Sequence, residues 1–287
     1  MSVKSVGVVG CGLMGSGIAQ VSVQAGFPTI VVEANQQLLD KGVAGVKKSL
    51  DALVAKAKID QKARDEAVAR LTGTTRLEEL KACDLVVEVV TENQPAKNEL
   101  FAKLDTICPS HAILASNTSS CNVTGMAAAT KRPGQVVGLH FFNPVPLMKL
   151  VEVVQTILTS DATVTTAREW VQALGKTPVK TKDSTAFIVN RLLVPYLLDA
   201  IRLYESGLAS LEDIDTAMKL GCGYPMGPFT LLDLVGLDTT MYVAEVMFEE
   251  FREARYAPPP LLKRMVMAGR LGRKSGRGFY DYSGGAA

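Results

Sequence analysis

The chain has 287 residues, 47% of them hydrophobic, enough to bury either one large core or two ordinary ones. A formal net charge of +2 excludes the strongly basic field that nucleic acid or an anionic membrane surface would call for, and no apolar run approaches the length of a membrane span. Five cysteines (Cys11, Cys83, Cys108, Cys121 and Cys222) without C-x-x-C spacing point away from a metal centre or disulfide frame, toward reduced thiols in a cytoplasmic protein whose first strand begins too early for a leader.

The first predicted element is a strand, Val6-Gly7-Val8-Val9, which runs into Gly10-Cys11-Gly12-Leu13-Met14-Gly15 and then into a helical pattern. In G-x-G-x-x-G after a strand, the first glycine permits the tight turn and the second lets a pyrophosphate approach the backbone. The third lets the helix pack closely on the strand, with the phosphates over the helix N-terminus. A second strand, Thr29-Ile30-Val31-Val32, ends at Glu33. That carboxylate stands roughly twenty residues beyond Gly10, where an acid accepts hydrogen bonds from an adenosine ribose and repels a 2′-phosphate, so NAD is expected rather than NADP. The alternative is a glycine-rich turn in an ordinary α/β protein, with Glu33 a solvated strand end.

Residues 36–71 read as one or two helices in which Lys41, Lys47, Lys48, Lys56, Lys58, Lys62 and Arg64 outnumber Asp51 and Asp60. A strand over 84–90 precedes a helix through Lys97-Asn98-Glu99-Leu100-Phe101. A strand over 112–115 ends at Ser116-Asn117-Thr118-Ser119-Ser120, and strands over 136–142 and 150–154 are joined by Asn143-Pro144-Val145-Pro146. This alternation predicts a mostly parallel, doubly wound α/β sheet over residues 1–183. Beyond Lys182-Asp183-Ser184 the strand-like runs vanish. Helical patterns over 187–205, 210–220, 228–251 and 258–268 predict an all-α domain over 184–287.

The chain has two histidines. His111, in a polar turn after Pro109-Ser110, reads as a surface residue. His140 lies inside an apolar strand and, taken alone, reads as a core histidine. Glu152, in Leu150-Val151-Glu152-Val153-Val154, changes that reading, because a carboxylate flanked by valines needs a partner. If the two strands are neighbours, Glu152 can hold the imidazole in one tautomer and make it a general base. Asn117, Thr118, Ser119 and Asn143 follow strands, where doubly wound folds bind ligands, yet all are equally good turn formers. Asn190, on an otherwise apolar helix, fits either a ligand contact or a hydrogen bond between helices.

Across nearly its whole length the chain resembles the L-3-hydroxyacyl-CoA dehydrogenases, and in size the bacterial 3-hydroxybutyryl-CoA dehydrogenases. The resemblance is carried by Gly10-Cys11-Gly12-Leu13-Met14-Gly15, Glu92-Asn93 with Lys97, Ser116 to Ser120, and His140-Phe141-Phe142-Asn143-Pro144-Val145-Pro146. Asp183 to Arg191, Gly221-Cys222-Gly223-Tyr224-Pro225-Met226-Gly227-Pro228 and the tail from Gly272 to Tyr280 add to it. It implies a Rossmann-type domain followed by a helical one that binds substrate and forms a homodimer. It also implies reversible oxidation of a (3S)-3-hydroxyacyl-CoA by NAD, with His140 as base and Glu152 as its partner. Ser119 and Asn190 would then bond the reacting end of the substrate and Asn143 the nicotinamide. Glu92, Lys97 and Lys274 match cofactor positions, as do Gly10, Gly12, Leu13, Met14, Gly15, Glu33, Asn117 and Ser119, while Ser49 and Lys56 fall where the family meets coenzyme A. The basic 41–64 segment suits those phosphates, although a solvated helical face has the same composition. Glu33 departs from the aspartate of many relatives. Oxidation of a free hydroxy acid or sugar acid, or non-catalytic NAD sensing, would leave the basic helices or the four polar residues without a use.

Overall fold

The computed structural model describes residues 2–284, which fall into two compact units divided between Ser184 and Thr185. The first unit contains β1 (Val6–Val9), α1 (Leu13–Gln24), β2 (Thr29–Val32), α2 (Gln36–Ala55), α3 (Gln61–Ala69), β3 (Leu71–Thr74) and β4 (Leu85–Glu88). It continues with α4 (Gln94–Ile107), β5 (Ile113–Ser116), α5 (Val123–Ala128), β6 (Val136–Phe141), β7 (Leu150–Gln155), α6 (Asp161–Ala173) and β8 (Thr177–Lys182). The strands form one eight-stranded sheet in the order β3-β2-β1-β4-β5-β6-β7-β8. Every pairing is parallel except β6 with β7. That exception follows from chain length: residues 142–149 are too few for a helical crossover, so the chain must turn back beside β6. In the register of this pair His140 stands opposite Glu152.

The order reverses between β1 and β4, the switch point at which doubly wound sheets bind ligands. β1, β4, β5 and β6 are buried along their whole lengths, and Val8, Ile18, Val87, Leu139 and Val153 join one core beneath the helices. β3 and β8, which the sequence pattern does not announce, are the sheet edges. Neither has a buried residue, and β8 is polar (Thr-Pro-Val-Lys-Thr-Lys), so they lack the apolar run that marks the buried strands. The 36–71 segment is two helices followed by the start of β3, with Asn35 capping α2 and Asp60 capping α3.

The second unit holds α7 (Val189–Glu205), α8 (Leu211–Cys222), α9 (Pro228–Val235), α10 (Leu237–Phe251) and α11 (Pro260–Met267) around Leu197, Ile201, Phe229, Leu232, Ala244, Met247 and Leu262. Two expected helices change. The one expected from 187 starts at Val189, because Ala186 (φ 67°) and Phe187 (φ 49°) adopt left-handed backbone. The one expected over 228–251 breaks at Gly236 (φ 101°), giving α9 and α10.

The Gly221–Pro228 motif and the tail have a local structural use. Buried Asp215 of α8 accepts hydrogen bonds from Phe229 N (2.8 Å) and Thr230 N (3.0 Å), supplying the N-terminus of α9 with an acceptor. A Cβ on Gly227 would lie 2.3 Å from the Asp215 carboxyl carbon. Asp233, also buried, accepts from Phe279 N and Tyr280 N (both 2.9 Å) and from the Tyr282 hydroxyl (3.1 Å), and so fastens the tail to α9. Burial pushes the Asp233 carboxyl above the usual carboxylate range.

Candidate active site

The loops leaving the C-terminal ends of β1, β4 and β5 enclose a pocket of about 270 Å³ lined by Gly12, Leu13, Met14, Val89, Val90, Glu92, Lys97 and Asn117. Its floor is the predicted turn. Gly10 has φ 98°, and a Cβ there would lie 2.7 Å from Val89 O; a Cβ on Gly15 would lie 1.9 Å from Gly10 O. Around Gly12, by contrast, a Cβ would meet nothing within 4 Å, so no protein contact requires glycine there, and the open side is free for a ligand's backbone approach. α2 to α6 each begin with a side-chain cap, from Asn35, Asp60, Asn93, Asn122 and Ser160, whereas α1 begins at Gly12 without one. Its first-turn N–H groups are thus available to an anion, as a pyrophosphate requires. The residues present fit a dinucleotide.

Glu33 follows β2 and turns toward this floor. Its Oε1 accepts from Cys11 N (2.5 Å) and its Oε2 from Ala34 N (3.0 Å). The extra methylene relative to aspartate spans that distance, and the carboxylate keeps acceptor capacity for a ribose.

A charged cluster lies behind the pocket, centred on Glu88, which the sequence motifs do not single out. Glu88, at the end of β4, is fully buried. It lies 2.7 Å from Lys97 Nζ and accepts from Val90 N and the Ser116 hydroxyl, both at 2.6 Å. Lys97 is itself only 1% exposed, so its ammonium is committed first to Glu88, with Glu92 at 3.7 Å. Glu92 in turn accepts from the Thr118 hydroxyl (2.7 Å), Ser119 N (2.9 Å) and Cys121 Sγ (3.2 Å), and so fixes the loop that carries Ser119. The signal for Glu88 is the one that marks Glu152, a carboxylate flanked by valines. Burial first, then the Glu92 charge, pushes the Cys121 thiol up to about 11, which disfavours the thiolate.

The histidine pair forms as the strand pattern anticipated. His140 Nδ1 lies 2.7 Å from Glu152 Oε2, with Glu152 fully buried and His140 5% exposed. An ionised carboxylate can only accept, so Nδ1 is the donor of this contact, which in the neutral imidazole leaves the lone pair on Nε2. The His140 ring packs on Phe142 at 4.5 Å between centroids. Phe141 N donates to Asn117 Oδ1 (2.9 Å), which ties β6 to a residue lining the pocket. Asn143 is exposed on the turn after β6, and His111 is exposed as expected, 2.9 Å from Asp84.

Ser49 lies half-buried on α2 and Lys56, exposed, caps its C-terminus two helical turns further on. Arg64 of the basic segment is engaged by Asp51 and Asp65 (2.8 and 3.0 Å). In the second unit Asn190 is half-buried on the first turn of α7, and Lys274 pairs with Asp238 at 2.6 Å. Among the described residues there is no group of acids, histidines and cysteines placed to hold a metal, and no helix is long and apolar enough to cross a membrane.

Comparison with known proteins supplies the family. Residues 5–184 match the family model described as 3-hydroxyacyl-CoA dehydrogenase, NAD binding domain, and residues 187–282 match the 3-hydroxyacyl-CoA dehydrogenase C-terminal domain. A 3-hydroxybutyryl-CoA dehydrogenase of Mycobacterium tuberculosis is 50% identical over 98% of this chain and 99% of its own. The human mitochondrial hydroxyacyl-coenzyme A dehydrogenase is also 50% identical, over 98% of this chain and 91% of its own. The crystal structure of an (S)-3-hydroxybutyryl-CoA dehydrogenase from Ralstonia eutropha superposes with a TM-score of 0.95 at 44% identity, covering 98% of this chain and 99% of that one.

Proposed function

We propose, from the premise that the chain belongs to the 3-hydroxyacyl-CoA dehydrogenase family, that it oxidises (3S)-3-hydroxybutyryl-CoA reversibly with His140 as general base and Glu152 as its partner. The enzyme is an NAD-dependent dehydrogenase; NAD, held by the Gly10–Gly15 turn with Glu33, Glu92, Lys97, Asn117, Ser119, Asn143 and Lys274, supplies the hydride acceptor. The observation that carries the rest is the 2.7 Å contact of His140 Nδ1 with a fully buried carboxylate. His140 Nε2 takes the proton of the C3 hydroxyl as C3 gives up its hydride, and Glu152 stabilises the imidazolium that results. In the reducing direction the same nitrogen returns the proton to the oxygen on C3. Ser119, on the loop fixed by Glu92, and Asn190 hydrogen-bond that oxygen. Ser49 and Lys56 meet the coenzyme A moiety.

The helical unit makes a homodimer. Leu192, Leu220 and Met267 are 68%, 81% and 87% exposed, with Leu234, Val235 and Tyr242 exposed alongside, and a symmetric partner is the commonest cover for such faces. Five cysteines present as free thiols suit a cytoplasmic setting.

The test is NADH consumption, followed at its absorbance band, with acetoacetyl-CoA against acetoacetate, and NAD reduction with gulonate as a further control. Turnover confined to the thioester supports the reading. Equal turnover of acetoacetate overturns the coenzyme A assignment.

A further inference from the structure

Lys176 is a buried ionisable group of the first unit for which neither the cofactor site nor the histidine pair has a use. It follows Gly175 (φ 71°), whose left-handed turn ends α6 and lets Lys176 N bond back to Val171 O (3.2 Å). The side chain therefore turns inward rather than to solvent, and the residue is 7% exposed. Both hydrogen bonds described for its ammonium go to main-chain carbonyls, Val145 O at 2.5 Å and Met148 O at 2.7 Å. These carbonyls belong to the β6–β7 turn, which begins at Asn143, just past His140. Charge-assisted bonds to two points on one short turn fix its position as well as its shape. Burial, with the charge of Lys149 adding to it, holds the ammonium below the ordinary lysine range.

The Val145 side chain is enclosed too. A Cβ on Gly17 of α1 would lie 2.8 Å from Val145 Cβ, so the helix that starts at the dinucleotide turn presses on Val145. Val145 is 2% exposed, and Leu147 N and Met148 N both bond Pro144 O at 3.0 Å. The turn is held by α1 at the Val145 side chain and by the Lys176 ammonium at the Val145 and Met148 carbonyls.

We propose that Lys176 is a positioning residue for hydride transfer: by clamping the 143–148 turn it sets the place of Asn143 relative to the cofactor floor. This rests on the reading of Asn143 as a nicotinamide contact. Small displacements of a positioning group have large kinetic effects, since a misplacement of about 1 Å can cost about a hundredfold in rate.

The experiment compares Lys176→Met, Lys176→Arg, Asn143→Ala and the Lys176→Met/Asn143→Ala double variant. It reads kcat/KM with acetoacetyl-CoA and NADH together with amide hydrogen exchange over residues 143–149. The expected result is a loss of about tenfold or more in Lys176→Met, faster exchange in that segment, recovery to within about threefold in Lys176→Arg, and a double variant little worse than the worse single one. Unchanged exchange in Lys176→Met refutes the clamp. Faster exchange with kcat/KM within about twofold of the parent, or losses that multiply in the double variant, refutes the positioning role. Full turnover in Asn143→Ala overturns the nicotinamide reading instead, and the exchange measurement, which does not depend on Asn143, tells the two failures apart. Should Lys176→Met not fold, Gly17→Ala pushes on Val145 of the same turn with Lys176 intact. It is expected to lose turnover and to couple to Asn143→Ala in the same way, and full turnover in it refutes the proposal.

Discussion

Replacing Glu88 by glutamine should destabilise the first unit by about 3 kcal/mol, the low end of what breaking a buried ion pair costs when one charge is left behind. Glu88 and Lys97 are 0% and 1% exposed and 2.7 Å apart, so water does not screen the pair. The carboxylate also accepts from Val90 N and the Ser116 hydroxyl. A glutamine oxygen can keep the bond from Val90 N while its amide N–H₂ donates to the Ser116 hydroxyl, which can also accept, but the buried ammonium loses its charged partner. Lys97 would be left with Val90 O at 3.4 Å and Glu92 at 3.7 Å. If Lys97→Met is added, no unpaired charge remains, and the double variant should recover to within about 1.5 kcal/mol of the parent. Urea unfolding without cofactor, followed by tryptophan fluorescence, measures this directly, because the single tryptophan, Trp170, lies in α6 of the same unit. A loss below about 1 kcal/mol in Glu88→Gln, or a double variant as unstable as the sum of the singles, would refute the argument that burial governs this pair.

Glu33 faces the cofactor floor through Cys11 N, so NAD should be used at least about tenfold more efficiently than NADP, and Glu33→Ser should erode that ratio; equal efficiency in the parent would place Glu33 away from the ribose. Lys56→Ala should raise the KM for acetoacetyl-CoA several-fold with little change in kcat, an effect that fades with salt and is absent for an N-acetylcysteamine thioester. If both thioesters suffer alike, Lys56 is structural. Light scattering at micromolar concentration should give twice the 30.7 kDa chain mass, and the chain mass itself would contradict the dimer.

Much of the nucleotide floor is legible in the sequence because its determinants are local: three glycines in a fixed spacing between an apolar strand and a helix. The His140–Glu152 pair is legible for another reason. Two polar residues in apolar strands joined by a short connection have few ways to be satisfied other than by each other. Glu88 carried a comparable signal, but its partner Lys97 lies on the following helix, where lysine is unremarkable. Lys176 carried none, since a lysine after a helix-ending glycine is ordinarily solvated. β3 and β8 escaped because edge strands need no apolar stripe on both faces, and α9 and α10 merged in the reading because one glycine within a long apolar helical pattern does not announce a break. Asp233, a lone acid among Leu231, Leu232, Leu234 and Val235, could have been suspected as buried, but nothing in the sequence points to the tail as its partner.

The claim that His140, oriented by Glu152, is the base of the reaction is tested most directly by His140→Gln, measured for turnover of acetoacetyl-CoA with NADH and for NADH affinity in the same preparation. The account predicts turnover lower by about 10²- to 10⁴-fold with the dissociation constant for NADH within about twofold of the parent. Retention of more than about a tenth of parental turnover would contradict it, because another group would then have to hold the proton.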